Sequence, residues 1–205
     1  MEKFLQQIDR LSVGIGKAFS WCIVVLIVAV CYEVFVRYVL RAPTAWAYDV
    51  SYIMYGALFL MAGGYTLSRN AHVRGDVFYR LFPKRVQAGV DLVLYLTFFL
   101  PGVIAWVWIG VPYAIQSWGY AEVSVYSPAG VPIYPSKTLI PLAGFFLLIQ
   151  GLAEIMRCLI CLKTGQWPQR LHDVEELESA ILHEREDMAK HATEAGAVRP
   201  AGKEG

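Results

Sequence analysis

The stretch AFSWCIVVLIVAVCYEVFVRYVL, residues 18–40, decides the fold. It is long enough to cross the hydrocarbon core of a bilayer as a helix, for which about 20 apolar residues suffice. Glu33 and Arg37 are its charged residues. Because lipid offers the backbone no water to bond, such a stretch must close its hydrogen bonds within itself. The run therefore predicts a membrane-spanning helix.

Similar apolar runs recur along the rest of the chain. The predicted spans are residues 18–40, 47–67, 88–116 and 139–162. Apolar residues make up 57 % of the chain and charged residues 17 %, whereas soluble domains carry about 25 % charge. We expect Pro101 either to kink the third span or to have its lost hydrogen bond replaced by a neighbour. The sequence thus predicts an all-α membrane protein with four transmembrane helices.

The segments before and after the spans differ from them in character. Apolar residues recur at helical spacing near the N-terminus: Phe4, Leu5, Ile8, Leu11 and Ile15. This spacing predicts an amphipathic helix in the membrane interface, residues 1–17. The transmembrane domain then covers residues 18–167, and a polar tail covers residues 168–205.

The distribution of lysine and arginine predicts the orientation in the membrane. The basic residues concentrate in three places: Lys3, Arg10 and Lys17; Arg69, Arg74, Arg80, Lys84 and Arg85; and Arg157, Lys163 and Arg170. Basic loops remain in the cytoplasm. Both termini are therefore expected to be cytoplasmic, with the hairpin 41–46 and the proline-rich loop 118–137 facing outward.

Ionisable side chains within or beside the spans mark candidate sites, because they are costly in lipid. One cluster surrounds the first hairpin: Glu33, Arg37, Arg41, Trp46 and Asp49. Glu33 and Arg37 share a helix face, and Asp49 follows just across the hairpin, so the three charges are expected to neutralise one another. The cluster serves either to dock a partner protein or to clamp the hairpin.

A second set of polar residues lies on the fourth span. Gln150, Glu154 and Arg157 are spaced four and three residues apart, which places them along one helix face. A hydrogen bond from such a stripe to a neighbouring helix is worth about 1 kcal/mol in a membrane. The stripe therefore predicts a helix-packing contact.

The residues argue against several kinds of chemistry. A haem-binding anchor needs histidines within its spans, whereas the histidines here are His72, His172, His183 and His191. The sequence predicts no catalytic residue, cofactor or metal site. Secondary transporters usually carry repeated, broken helices around a site at the midplane of the membrane. One proline-interrupted span without a counterpart favours an accessory subunit over a self-sufficient carrier.

Several short motifs resemble those of one transporter family. They are Arg37-Tyr38-Val39-Leu40 with Pro43 and Trp46-Ala47-Tyr48-Asp49; His72-Val73 with Asp76; Glu122 with Ser124; Pro141; and Leu148-Ile149-Gln150-Gly151. Their order and spacing resemble the small membrane subunits of tripartite ATP-independent periplasmic (TRAP) transporters. Asp49 stands where a glutamate is expected more often.

The resemblance implies a role in a three-part importer of the bacterial inner membrane. A periplasmic binding protein captures a substrate, usually an organic acid, and a large multi-span subunit carries it inward by symport, commonly with sodium. The small subunit, a multi-pass protein, supports the large one and helps dock the binding protein; His72 and Asp76 belong to its cytoplasmic loop motif. The alternatives are a membrane anchor of a redox enzyme and a small independent carrier.

Overall fold

A computed structural model describes residues 2–70, 79, 82–168, 185 and 188 of the chain. Its helices are α1 (Glu2–Ser20), α2 (Cys22–Tyr38), α3 (Ala47–Ser68), α4 (Lys84–Leu94), α5 (Leu100–Gly119) and α6 (Tyr134–Thr164), and a π-helical segment, Tyr95–Phe99, joins α4 to α5. These elements belong to one compact unit, Met1–His172. In a second unit, Asp173–Gly205, the structure describes Arg185 and Met188, both exposed.

The prediction of four membrane-spanning helices is confirmed. Four helical stretches are long and apolar enough to cross a bilayer: Lys3–Tyr38, Ala47–Ser68, Lys84–Gly119 and Tyr134–Thr164. All four extend beyond the predicted runs at one end or both, the second by Ser68 alone, and the first ends at Tyr38, two residues before its predicted end. The first stretch includes the N-terminal helix, since α1 continues into α2 with a single turn residue, Trp21, between them.

The spans lie side by side in an open row. Helix α6 packs between α3 on one side and α4 with α5 on the other, and α2 packs on the far side of α3. In the described part of the chain, α2 and α5 are the ends of the row and do not pack together. Accordingly α2 buries Ala29 and Val36, whereas the central α6 buries residues along most of its length. The four helices therefore enclose no interior of their own.

Helix α1 packs across one face of this row, against α3 and α6. Its buried stripe consists of Leu5, Asp9 and Ser12. One turn further, a Cβ atom on Gly16 would lie 2.6 Å from Cβ of Tyr65, so only a glycine allows this approach to α3. Two residues of the predicted apolar stripe, Phe4 and Leu11, face away from the protein. The amphipathic helix is therefore present, and its position in the membrane interface stays a prediction.

The third span accommodates Pro101 through a change of helix type. A proline removes one backbone hydrogen bond and collides with the carbonyl group four residues earlier. The π-helical segment Tyr95–Phe99 lies just before Pro101 and widens the helix there. Within it, the hydroxyl of Thr97 donates a hydrogen bond to the carbonyl oxygen of Val93 at 2.7 Å.

Small residues bring α5 and α6 into close contact. Added Cβ atoms would lie 3.3 Å from Cβ of Pro141 at Gly110, and 2.9 Å from Cγ2 of Val107 at Gly144. At Gly151 an added Cβ would overlap the ring of Phe99. Close packing of this kind matters in a membrane, because the hydrophobic effect contributes little between helices in lipid and van der Waals packing must hold them together.

Candidate functional site

The hairpin between α2 and α3 contains a compact ion pair. Nε and Nη2 of Arg37 donate to Oε1 of Glu33 at 2.9 and 2.5 Å. Oε2 of Glu33 accepts from the backbone N–H of Thr44 at 3.0 Å and from the Thr44 hydroxyl. The side chain of Arg37 is 53 % exposed and that of Glu33 is 15 % exposed. Glu33 therefore ties the hairpin to α2, while the Arg37 guanidinium remains accessible.

Two further members of the predicted hairpin cluster lie beside this pair. Trp46 stacks on Tyr32 with ring centroids 5.8 Å apart and an angle of 25° between the ring planes. Arg41 is exposed and has a φ of 53°, the left-handed conformation of a tight turn. The hairpin thus presents two accessible arginines, Arg37 and Arg41, next to an aromatic pair.

Asp49 does not join this pair, which corrects the expectation that three charges neutralise one another. Its side chain is fully buried at the start of α3. The hydroxyl of Ser124 donates to Oδ1 of Asp49 at 2.5 Å, and the hydroxyl of Ser127 donates to Oδ2. Among the described residues, the ion-pair partner of Arg37 is Glu33. Asp49 therefore fastens the proline-rich loop to the hairpin.

The proline-rich loop, predicted over residues 118–137, occupies residues 120–133 between α5 and α6 and is a folded structure. The backbone N–H of Ser124 donates to the carbonyl oxygen of Val131 at 2.8 Å, and the N–H of Ile133 donates to that of Glu122 at 3.0 Å. These bonds surround an antiparallel bridge between Val123 and Pro132. Together with the two serine bonds to Asp49, they hold the loop in one position over the hairpin.

Glu122 connects this loop to both flanking helices. Lys137 donates to its Oε2 at 2.5 Å, and the Ser117 hydroxyl donates to the same oxygen at 2.6 Å. The hydrogen bond from Lys137, followed by that from Ser117, holds the pKa of the Glu122 carboxyl below its usual value. Nζ of Lys137 also lies 4.5 Å from the ring centroid of Tyr113. The end of α5 and the start of α6 are therefore joined by an ion pair and a hydrogen bond as well as by packing.

A second constellation lies at the other end of the row, between α1 and α6. Nη2 of Arg157 donates to Oδ2 of Asp9 at 2.5 Å, and Nη1 donates to Glu154. Gln150 donates to Oδ1 of Asp9 at 2.9 Å and accepts from the Ser12 hydroxyl at 2.8 Å. All five of these side chains are buried.

The predicted polar stripe of α6 is thus present, and its partners are on α1. Removing one member of a buried ion pair leaves an uncompensated charge that costs about 3–5 kcal/mol. The prediction of an amphipathic interfacial helix over residues 1–17 gave no role to Asp9 or Ser12. The missed signal was Asp9 itself, an acidic residue in an amphipathic helix and on the same expected side of the membrane as Arg157.

The remaining predicted residues include two in the cytoplasmic loop motif, His72 and Asp76. His72 and Asp76 lie outside the described residues, as do the four histidines as a group. Within the described residues, no three acidic, histidine or cysteine side chains are grouped so as to hold a metal ion. The cysteines are free, and Cys158 and Cys161 are buried in α6.

The fold and these sites define a class of protein: an all-α membrane protein with four helices long and apolar enough to span a bilayer, whose polar residues fix loops and helices to one another. The family described as "Tripartite ATP-independent periplasmic transporters, DctQ component" matches residues 26–161. The chain belongs to this family and is a small membrane component of a TRAP transporter. The match includes both Asp49 and the α6 stripe. No curated protein matches the chain.

Proposed function

We propose that this chain is the small permease subunit of a TRAP-type secondary importer, with no enzymatic activity of its own. In this role it supports the large membrane subunit and helps dock a periplasmic substrate-binding protein. The observation that carries the proposal is the open row of spans. A solute path needs walls on all sides, and a row of helices lining no interior requires a second membrane protein to complete one.

The hairpin and the fastened loop form the proposed docking surface for the binding protein. Arg37, Arg41 and Trp46 are exposed there. A soluble partner binds best to a surface that is ordered before it arrives, because less conformational entropy is then lost on binding. The Asp49 bonds supply that order. Exposed arginines beside aromatic rings are typical of binding surfaces, since both residue types are enriched at interfaces.

The proposal places the chain in the bacterial inner membrane as a multi-pass protein with both termini in the cytoplasm. Lys3, Arg10 and Lys163 lie at the end of the row opposite the hairpin, in keeping with the preference of basic segments for the cytoplasm. His72 and Asp76 then belong to a cytoplasmic loop. Uptake of an organic acid by symport follows from the family resemblance.

Two other functions remain as alternatives to test. A membrane anchor of a redox enzyme would show a haem spectrum after purification, and we expect none. A small independent carrier would catalyse uptake alone, against which the open row argues. Neither alternative is favoured by a contact or a cavity among the described residues.

We expect the chain to co-purify with a larger, multi-span membrane protein when it is extracted from native membranes in mild detergent. The reason is the open row: its four helices line no interior, so a solute path must be completed by another membrane protein. Mass spectrometry of the affinity-purified sample measures the partner. Recovery of the chain alone as a monodisperse monomer would contradict the proposed function.

A further inference from the structure

An aromatic stripe runs down one side of α3. It consists of Tyr48, Tyr52, Tyr55 and Phe59, spaced four, three and four residues apart. At its outer end the ring of Tyr126, from the proline-rich loop, packs edge-on against Tyr48 and Tyr52, with centroids 6.2 and 6.4 Å away. The four α3 residues are all more than half exposed, with Tyr55 at 61 % and Phe59 at 70 %.

The stripe points away from the rest of the chain. The buried residues in the middle of α3 are Ala57, Met61 and Gly64, and they face α6 and α1. At 3.6 residues per turn, Ala57 and Tyr55 lie on nearly opposite sides of the helix. The stripe is therefore left uncovered by the neighbours of α3 in the row.

Lipid tails cannot satisfy this stripe, because three of its four residues carry a hydroxyl group. Among the described residues, the hydroxyl groups of Tyr48, Tyr52 and Tyr55 make no hydrogen bond. Tyr55 lies two turns into α3, about 12 Å from its outer end, which places it within the hydrocarbon region. A polar group in hydrocarbon costs free energy unless it is hydrogen-bonded, and lipid tails offer no acceptor. A protein that places a polar side chain at the same depth can accept a hydrogen bond from the tyrosine hydroxyl.

A groove next to the stripe provides room for close approach. It is lined by Tyr52, Gly56 and Leu60 of α3, Tyr113 of α5, and Lys137 and Ile140 of α6. A Cβ atom added to Gly56 would meet nothing within 4 Å. In contrast, a Cβ atom added to Gly63 on the same helix would lie 3.7 Å from Cδ1 of Leu147 in α6. Small residues on a membrane helix allow a second helix to lie close, and here the position is open.

We propose that the α3 stripe and the Gly56 groove form the contact face for a transmembrane helix of the large subunit. The inference rests on the proposed function and adds the location of the interface. The partner helix lies over Gly56, its apolar side chains fill the groove, and a polar side chain meets the Tyr55 hydroxyl. Tyrosine and phenylalanine are the residue types that carry such interfaces, since they bury a large area with few rotatable bonds.

The first test compares two glycines that have equally open surroundings. Gly56 lies in α3 and Gly102 lies in α5, and an added Cβ meets nothing within 4 Å at either. Neither Gly56→Leu nor Gly102→Leu should disturb the chain itself, and leucine favours the helix over glycine. We expect Gly56→Leu to reduce the recovered large subunit at least tenfold and Gly102→Leu to leave it unchanged. Equal recovery with the two variants, high or low, would overturn the proposal.

A photocrosslinking amino acid placed in intact membranes gives an independent readout. At Tyr55 we expect an adduct with the large subunit, whereas at Trp108, which is 79 % exposed on α5, we expect none. A Tyr55 adduct confined to lipid or to a second copy of this chain would overturn the proposal. The adduct at Tyr55 tests the location of the interface, whereas formation of a complex tests the proposed function, so the two can fail separately. A complex that forms without a Tyr55 adduct contradicts this interface alone, and absence of any complex contradicts the proposed function.

Discussion

Replacing Arg157 by leucine should lower the free energy of unfolding by about 3–5 kcal/mol, the cost of leaving buried charge uncompensated. Arg157 has no exposed surface and pairs with Asp9 and Glu154. Its loss leaves two acidic side chains facing one another between α1 and α6. We expect a lower midpoint of thermal unfolding in detergent and faster proteolysis of α1, which the network fastens to the row.

Arg37→Leu is the matched control for this prediction. Arg37 also pairs with a glutamate on its own helix, but its side chain is half exposed. Exposed ion pairs contribute about 0–1 kcal/mol, so the unfolding midpoint should hardly change. If Arg37→Leu destabilised the chain as much as Arg157→Leu, burial would not be the reason for the effect. Normal stability with reduced uptake by the assembled transporter would support a docking role for Arg37.

Replacing Asp49 by alanine should release the proline-rich loop without unfolding the helices. The substitution removes the acceptor for Ser124 and Ser127, and hydrogen bonds to charged groups contribute about 1.5–3 kcal/mol each. Hydrogen exchange at the backbone amides of Ser124 and Ile133 should therefore become at least tenfold faster. Binding of the periplasmic protein should weaken, because a mobile loop must be ordered before it binds.

Ser51→Ala is the control for the Asp49 variant. The Ser51 hydroxyl donates to the carbonyl oxygen of Ala47 at 2.8 Å, within the same turn of α3 and without a contact to the loop. Its removal should leave exchange in the loop unchanged. Exchange in the loop that is the same in Asp49→Ala and the native protein would show that the bridge between Val123 and Pro132 holds the loop by itself.

The spans could be predicted from sequence because a long apolar run has one stable conformation in lipid. The pair of Glu33 and Arg37 could be predicted for a related reason, since spacing along a helix fixes which side chains meet. The three residues of the α6 stripe were likewise predicted to share a face. All of these are local features of the chain.

What could not be predicted depends on contacts between distant segments. Asp49 was expected to share in neutralising Glu33 and Arg37 across the hairpin, but it binds serines in a loop far along the chain. Asp9 was given no role by the prediction of an interfacial helix over residues 1–17, whereas it binds Arg157. The order of the helices in the row decides both outcomes, and no local pattern encodes that order. The family match identifies the class of protein, whereas the contacts of Asp49 and Asp9 are known from the structure alone.

The central claim is that this chain is one part of a transporter and does not transport alone. Its most direct test is uptake of labelled substrate by liposomes under an ion gradient, with this chain, the large subunit and the binding protein present together or each left out in turn. We expect uptake with all three, a loss of at least tenfold without this chain, and none with this chain alone. Uptake by liposomes that contain this chain alone would contradict the account.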